Sequence, residues 1–140
     1  MSLSLPGGQS ARRASILVVD DELDFADLCR QGFRREVRDG TYVIHFAASG
    51  EQALERLAGE IEPKLIAVLS DINMPGMDGL TLLQQVKQRF PDLPVMMITA
   101  YGDDECRRRA AECGASEVIT KPVDFDFLKE QLRQLPTAAD

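Results

Sequence analysis

Five short apolar runs, separated by stretches with helical spacing, constrain this chain more than any other feature. They are Ile16–Val19, Tyr42–Ala47, Leu65–Leu69, Val95–Ile98 and Val118–Ile119. Each run is apolar almost without interruption. Strands of that kind are buried on both faces, which calls for a parallel sheet covered by helices on each side. Between them, apolar residues recur at helical intervals: Phe25, Leu28, Cys29 and Gly32, then Leu83, Val86 and Phe90, then Phe125, Leu128, Leu132 and Leu135. Gly50, Gly59, Pro63, Pro91, Pro94 and Gly114 punctuate the boundaries. The string is β-α five times over. It predicts a doubly wound α/β fold with its site at the carboxyl ends of the strands. The helix around Cys106–Cys113 is the least apolar and is expected to be the most exposed and mobile.

A chain of 140 residues fits one domain. Residues 1–14 lack periodicity and read as a flexible lead-in, 15–135 as the domain, and 136–140 as a short tail. The formal net charge of -7 argues against a direct grip on nucleic acid or an anionic membrane. No apolar run reaches the ~18 residues of a membrane span. The run after Arg12-Arg13 is too short for an export signal and ends in Asp20-Asp21-Glu22. Cys106 and Cys113, on one helix, would lie roughly 10 Å apart, beyond disulfide reach. Reduced thiols fit a cytoplasmic protein. The single histidine, His45, reads as a tolerated residue of the second strand.

Every predicted strand end but the second carries unusual chemistry. The first ends in Asp20-Asp21, the third in Asp71, the fourth in Thr99, and the fifth runs into Lys121-Pro122. In a parallel sheet these ends share one edge, so three carboxylates and one ammonium converge. Two like charges ~4 Å apart repel by about 4 kcal/mol at a near-surface dielectric. A divalent cation relieves that repulsion, and oxygen-only ligands select a hard ion such as Mg²⁺. Taken singly, Asp21 or Glu22 could simply stabilise a helix N-terminus. Taken together, the four strand ends point to phosphoryl transfer, which needs charge neutralisation and positioning. Asp71, on the central strand, is the best nucleophile, since a carboxylate attacking phosphorus forms an acyl phosphate.

These residues, with their neighbours, resemble the receiver domain of two-component response regulators, the CheY-like family. The motifs are Ile16-Leu17-Val18-Val19-Asp20-Asp21-Glu22, Ser70-Asp71-Ile72-Asn73-Met74-Pro75-Gly76-Met77-Asp78-Gly79, Ile98-Thr99-Ala100-Tyr101-Gly102-Asp103, and Gly114-Ala115 leading to Lys121-Pro122. The match runs from about Ser15 to Leu135. The resemblance implies a flavodoxin-like sheet of order 2-1-3-4-5. It implies that Asp71 accepts a phosphoryl group from the phosphohistidine of a sensor histidine kinase or phosphotransfer protein. Asp20, Asp21, Asp71 and the Asn73 carbonyl would hold Mg²⁺, Thr99 would turn toward the phosphoryl oxygens, and Lys121 would pair with them. A cis Lys121–Pro122 peptide is implied as well. The chain would then be a signalling domain, not an enzyme beyond its own phosphorylation and dephosphorylation. An output domain or effector would read the Asp103–Leu135 face, through which a phosphorylated homodimer could also form.

One position departs from the family. Receivers usually carry Phe or Tyr three residues before the lysine, and here that residue is Val118. A β-branched side chain has few rotamers and no ring to swing inward. Activation is therefore expected to rely on backbone shifts around Thr99–Asp103. Tyr101, beside the expected site mouth, reads either as a gate on attacking water or as a surface loop residue. Arg107-Arg108-Arg109 reads as a solvated helix face, with Glu105 pairing to Arg109, rather than as a dock for an acidic partner. The Val118 departure keeps open a pseudo-receiver, an interaction module that is never phosphorylated. A haloacid dehalogenase-type phosphatase fits worse. It needs a carboxylate two residues after the nucleophile, and Asn73 cannot exchange a proton there.

Overall fold

The computed structural model describes residues 13–100 and 104–135. Residues 1–12, 136–140 and 101–103 lie outside that set, and with them most of the expected lead-in, the tail, the Tyr101 gate and Asp103. Within it, the five apolar runs become strands β1 (Ala14–Val19), β2 (Tyr42–Ala47), β3 (Leu65–Asp71), β4 (Val95–Thr99) and β5 (Glu117–Thr120). All neighbouring pairs are parallel, in the order β2-β1-β3-β4-β5. That is the doubly wound order. Four strands run further than the apolar residues alone, β5 by one residue at each end. Ala14 pairs with Tyr42 and so belongs to β1, while β3 and β4 extend to include Asp71 and Thr99.

Alternation along the strands divides the core into two layers. Leu17, Val19, Val68, Val95 and Met97 face one layer, and Ile16, Val18, Leu69, Met96 and Ile98 face the other. Helices α3 (Gly50–Ala58), α4 (Gly79–Arg89) and α5 (Asp104–Glu112) cover the first layer through Ala53, Leu57, Leu83, Val86 and Ala110. Helices α1 (Leu23–Gly32) and α6 (Phe125–Arg133) cover the second through Phe25, Cys29, Leu128 and Leu132. Burial on both faces is what continuous apolar strands require. Strand β2 is the exception, with its four central residues only half-buried, because it forms an edge. His45 sits on that edge, its Nε2 3.0 Å from Ser15 Oγ.

Two details depart from the helical spacing. The first expected helix is broken into α1 and a short α2 (Arg34–Asp39). Phe33 between them turns fully into the core, its ring edge-on to Phe125 at 5.6 Å and to Tyr42 at 6.0 Å. Gly32 permits this, since a Cβ there would lie 2.5 Å from the Phe125 ring. Leu28, expected on the buried stripe, is 52% exposed, because Phe25 and Cys29 already fill the sheet-facing side of α1.

Side-chain caps set the start of α3, α4 and α6. Ser49 Oγ accepts from Gln52 N–H, Asp78 Oδ1 from Thr81 N–H, and Asp124 Oδ1 from Asp126 and Phe127 N–H. The α4 start is unusually close to β3. Gly79 N–H donates to the Ile72 carbonyl at 2.7 Å. A Cβ on Gly79 would overlap the Asp71 carbonyl oxygen and lie 2.7 Å from Ile72 Cα. Backbone atoms cannot swing aside as a flexible side chain can. Gly79→Ala is therefore expected to lower unfolding stability by roughly 1–3 kcal/mol, the usual range for overpacking. Urea denaturation of the variant against the parent checks this.

Candidate functional site

The carboxyl edge of the sheet gathers residues far apart in sequence. Asp20 follows β1, Asp71 ends β3, Thr99 ends β4, and Lys121 follows β5. Lys121 Nζ lies 3.3 Å from Asp20 Oδ2 and 3.7 Å from Asp71 Oδ2. Carboxylate oxygens of Asp20, Asp21 and Asp71 lie within 4.8 Å of one another. Asp20, Asp71 and Thr99 are buried, while Asp21 is exposed at the rim. The expected cluster of carboxylates and amine has assembled.

Local backbone holds it in place. Asp20 Oδ1 accepts the Glu22 N–H at 2.8 Å, and Asp71 Oδ1 accepts the Asn73 N–H at 3.4 Å. Glu22 occupies the N-cap of α1 without a side-chain capping bond. Its carboxylate lies instead 3.7 Å from Lys121 Nζ, a fourth acid that the sequence suggested only as a cap. The Lys121 backbone N–H donates to the Thr99 carbonyl at 2.8 Å, and the Lys121–Pro122 peptide is cis. Phe25, read only as core, also underlies the site: Lys121 Nζ stands 4.9 Å above its ring centroid. Neither Glu22 nor Phe25 could be placed there without the fold. No spacing rule links them to a lysine about a hundred residues on.

Electrostatics follow from this crowding. Burial, then the neighbouring Asp20 charge, pushes the Asp71 carboxyl up to about 6, against the pull of Lys121 and of the Asn73 and Ile72 N–H groups. Burial likewise raises Asp20, against the Glu22 N–H and Lys121. At Lys121 burial opposes the charge, yet Asp71, Asp20 and Glu22 together outweigh it and hold the ammonium above its ordinary value. One amine does not neutralise this many acids. The donor set suits a hard cation: oxygen atoms only, spread over about the 4–5 Å that spans such an ion's shell.

The remaining expected features are distributed around this edge. Asn73 is exposed in the loop after β3. Val118 is buried in β5, in register with Met97 of β4 and in the same core layer, which it fills without a ring. The arginine run is not uniformly solvated. Arg107 folds back to donate to the Val118 carbonyl at 3.2 Å and to Thr120 Oγ1 at 3.0 Å. On the solvent side of the same helix the ion pair is Arg108–Glu112, at 4.0 Å, rather than the expected Glu105–Arg109. Cys29, Cys106 and Cys113 are free thiols. Among the described residues no helix is long and apolar enough to cross a membrane.

A doubly wound parallel sheet with an acidic, lysine-bridged pocket at its carboxyl edge defines an α/β domain of the flavodoxin-like kind. The model of the response regulator receiver domain matches residues 16–133, and the chain belongs to that family of two-component signalling domains. Among curated relatives, the DNA-binding transcriptional regulator NtrC of Escherichia coli (strain K12) is 38% identical over 115 residues, covering 82% of this chain and 23% of the relative. The transcriptional regulatory protein ZraR of the same organism is 34% identical over 119 residues, covering 85% and 25%. The chain thus spans about a quarter of the length of these relatives. Among solved structures, the receiver domain of NtrX from Brucella abortus is 33% identical, with TM-score 0.71 and coverage of 84% of this chain and 96% of that one. The signal receiver domain of an HD domain-containing protein from Pseudomonas fluorescens Pf-5 is 30% identical, with TM-score 0.78 and coverage of 89% and 94%.

Proposed function

We propose that Asp71 is the phosphoacceptor of this domain, taking a phosphoryl group from the phosphohistidine of a sensor histidine kinase or phosphotransfer protein. The observation that carries this reading is the placement of Asp71 on the central strand, 3.7 Å from Lys121 and beside Asp20. With its carboxyl near 6, Asp71 is mainly ionised at neutral pH, so a lone pair is available for attack. Its carboxylate oxygen forms the new O–P bond as the N–P bond of the donor breaks. The imidazole nitrogen leaves with the electron pair and takes up a proton. Lys121 would pair with the phosphoryl oxygens, and Thr99, at the end of β4, would hydrogen-bond them. Asp20, Asp21, Asp71 and the Asn73 carbonyl would hold Mg²⁺, which when bound neutralises charge on the phosphoryl oxygens.

The domain 15–135 then acts as a cytoplasmic switch rather than as an enzyme on other substrates. Its α5–β5–α6 face would be read by an output domain, an effector or a second phosphorylated copy. The pseudo-receiver alternative loses ground to the assembled site. Incubation with acetyl phosphate and MgCl₂, followed by intact mass, separates the readings. One added phosphoryl group, absent when EDTA replaces MgCl₂, is the expected result. No mass change under any condition would leave an interaction module.

Metal binding has its own signature. A cation bound by the folded chain alone stabilises it by mass action. MgCl₂ is expected to raise the melting temperature of the parent in a saturable manner. Asp21→Asn, which removes a rim carboxylate without disturbing the core, should shift that titration to higher concentration. Identical titrations for the two proteins would remove Asp21 from the ligand set.

A further inference from the structure

Helix α5 is sparsely anchored: Ala110 is its one buried residue, with Cys106 half-buried against the core. Polar contacts must therefore do more to fix its position than they do for α4 or α6. Arg107 supplies two of them, through a guanidinium fork whose Nη1 donates to the Val118 carbonyl and whose Nη2 donates to Thr120 Oγ1. Both acceptors belong to β5. Thr120 stands in register with Thr99, and the next residue, Lys121, donates its N–H to the Thr99 carbonyl. The fork thus ends one residue from the cation of the acidic site and directly across from its hydroxyl.

We propose that Arg107 is a positioning residue that couples the placement of α5 to the charge carried at Asp71, an inference that rests on Asp71 being the phosphoacceptor. A phosphoryl group on Asp71 brings added negative charge and three acceptor oxygens to within reach of Lys121 and Thr99. Re-aiming those two residues moves the end of β5, a strand of four residues, and Thr120 moves with it. A planar fork tolerates such a shift poorly, because both hydrogen bonds depend on one orientation. The bond to Thr120 is where a rearrangement at the site meets α5. This link passes through the Val118 backbone and needs no aromatic side chain at that position. Coupling of this kind is reciprocal, so it is read as a departure from additivity between modification and mutation.

The test compares hydrogen exchange of α5 amides, with and without acetyl phosphate plus MgCl₂, in the parent, Arg107→Ala, Arg107→Lys and Thr120→Val. Intact mass monitors phosphoryl uptake in each. In the parent, phosphorylation is expected to change α5 exchange by roughly fivefold to tenfold. Arg107→Ala and Thr120→Val should take up the phosphoryl group while that ratio falls below about twofold, with Arg107→Lys, which keeps the charge but loses the fork, between. A merely structural Arg107 would loosen α5 equally in both states and leave the ratio intact, overturning the proposal. A phosphorylated parent with unchanged α5 overturns it, as does loss of uptake in a folded Arg107→Ala. A parent that gains no phosphoryl mass fails the phosphoacceptor reading itself, and the coupling with it. Should Arg107→Ala not fold, Thr120→Val decides alone.

Discussion

Asp71→Asn is expected to abolish phosphoryl uptake and, in metal-free buffer at pH 7, to make the domain more stable. The two outcomes have one cause. Burial and the adjacent Asp20 charge raise the Asp71 carboxyl from an ordinary 3.8 to about 6. A carboxyl whose folded pKa exceeds its unfolded one favours folding only while protonated. Its cost is absent below the unfolded value, develops between pH 4 and 6, and is complete above the folded value. Asparagine keeps the shape and removes the charge. It should gain roughly 1–3 kcal/mol over the parent at pH 7, a shift of one unit being worth about 1.4 kcal/mol. The gain should vanish near pH 4 and shrink when MgCl₂ is added to the parent. Paired chemical denaturation curves at the two pH values measure it. Equal stabilities at pH 7 would show that burial beside Asp20 imposes no cost on the Asp71 charge, against the raised carboxyl described.

Lys121→Met should have the opposite sign. The amine is the cation shared by Asp20, Asp71 and Glu22, at 3.3, 3.7 and 3.7 Å. Removing one partner of a buried ion pair costs about 3–5 kcal/mol, because the remaining charge has lost its compensation. Lys121 keeps 21% of its side chain exposed, and water screens part of the effect, so a loss nearer about 2 kcal/mol is expected. The raised pKa of Lys121 means that this contribution is present through neutral pH and is lost only as pH rises past the ordinary 10.5. Methionine retains the apolar stem over Phe25, which isolates the charge from the packing. Melting at pH 7 with and without MgCl₂ reads the result, and the metal should recover part of the loss. In the phosphorylation assay the same variant should be slow even with MgCl₂ present.

Much of this architecture was legible in the chain because the strands are buried on both sides. Residues Tyr42–Ala47 coincide with β2, and the other runs fall inside their strands. Asp20, Asp71, Thr99 and Lys121 could be placed because parallel strands align their carboxyl ends. What resisted reading were contacts that depend on packing between distant segments. Phe33 breaks the first helix because its ring fits between Tyr42 and Phe125. Glu22 turns from a capping position toward Lys121. Arg107 leaves an apparently solvated run to reach β5, thirteen residues from Thr120 in sequence. In each case local propensity permitted two arrangements and a tertiary partner selected one.

Chemical trapping tests the central proposal most directly. Acetyl phosphate and MgCl₂ are supplied, the protein is quenched with borohydride, which reduces an acyl phosphate to the alcohol, and tryptic peptides are sequenced by mass spectrometry. The reduced residue should appear once, at Asp71, in the peptide spanning residues 65–87. Reduction at Asp20, Asp21 or Asp78, or none at all with the fold intact, would contradict it.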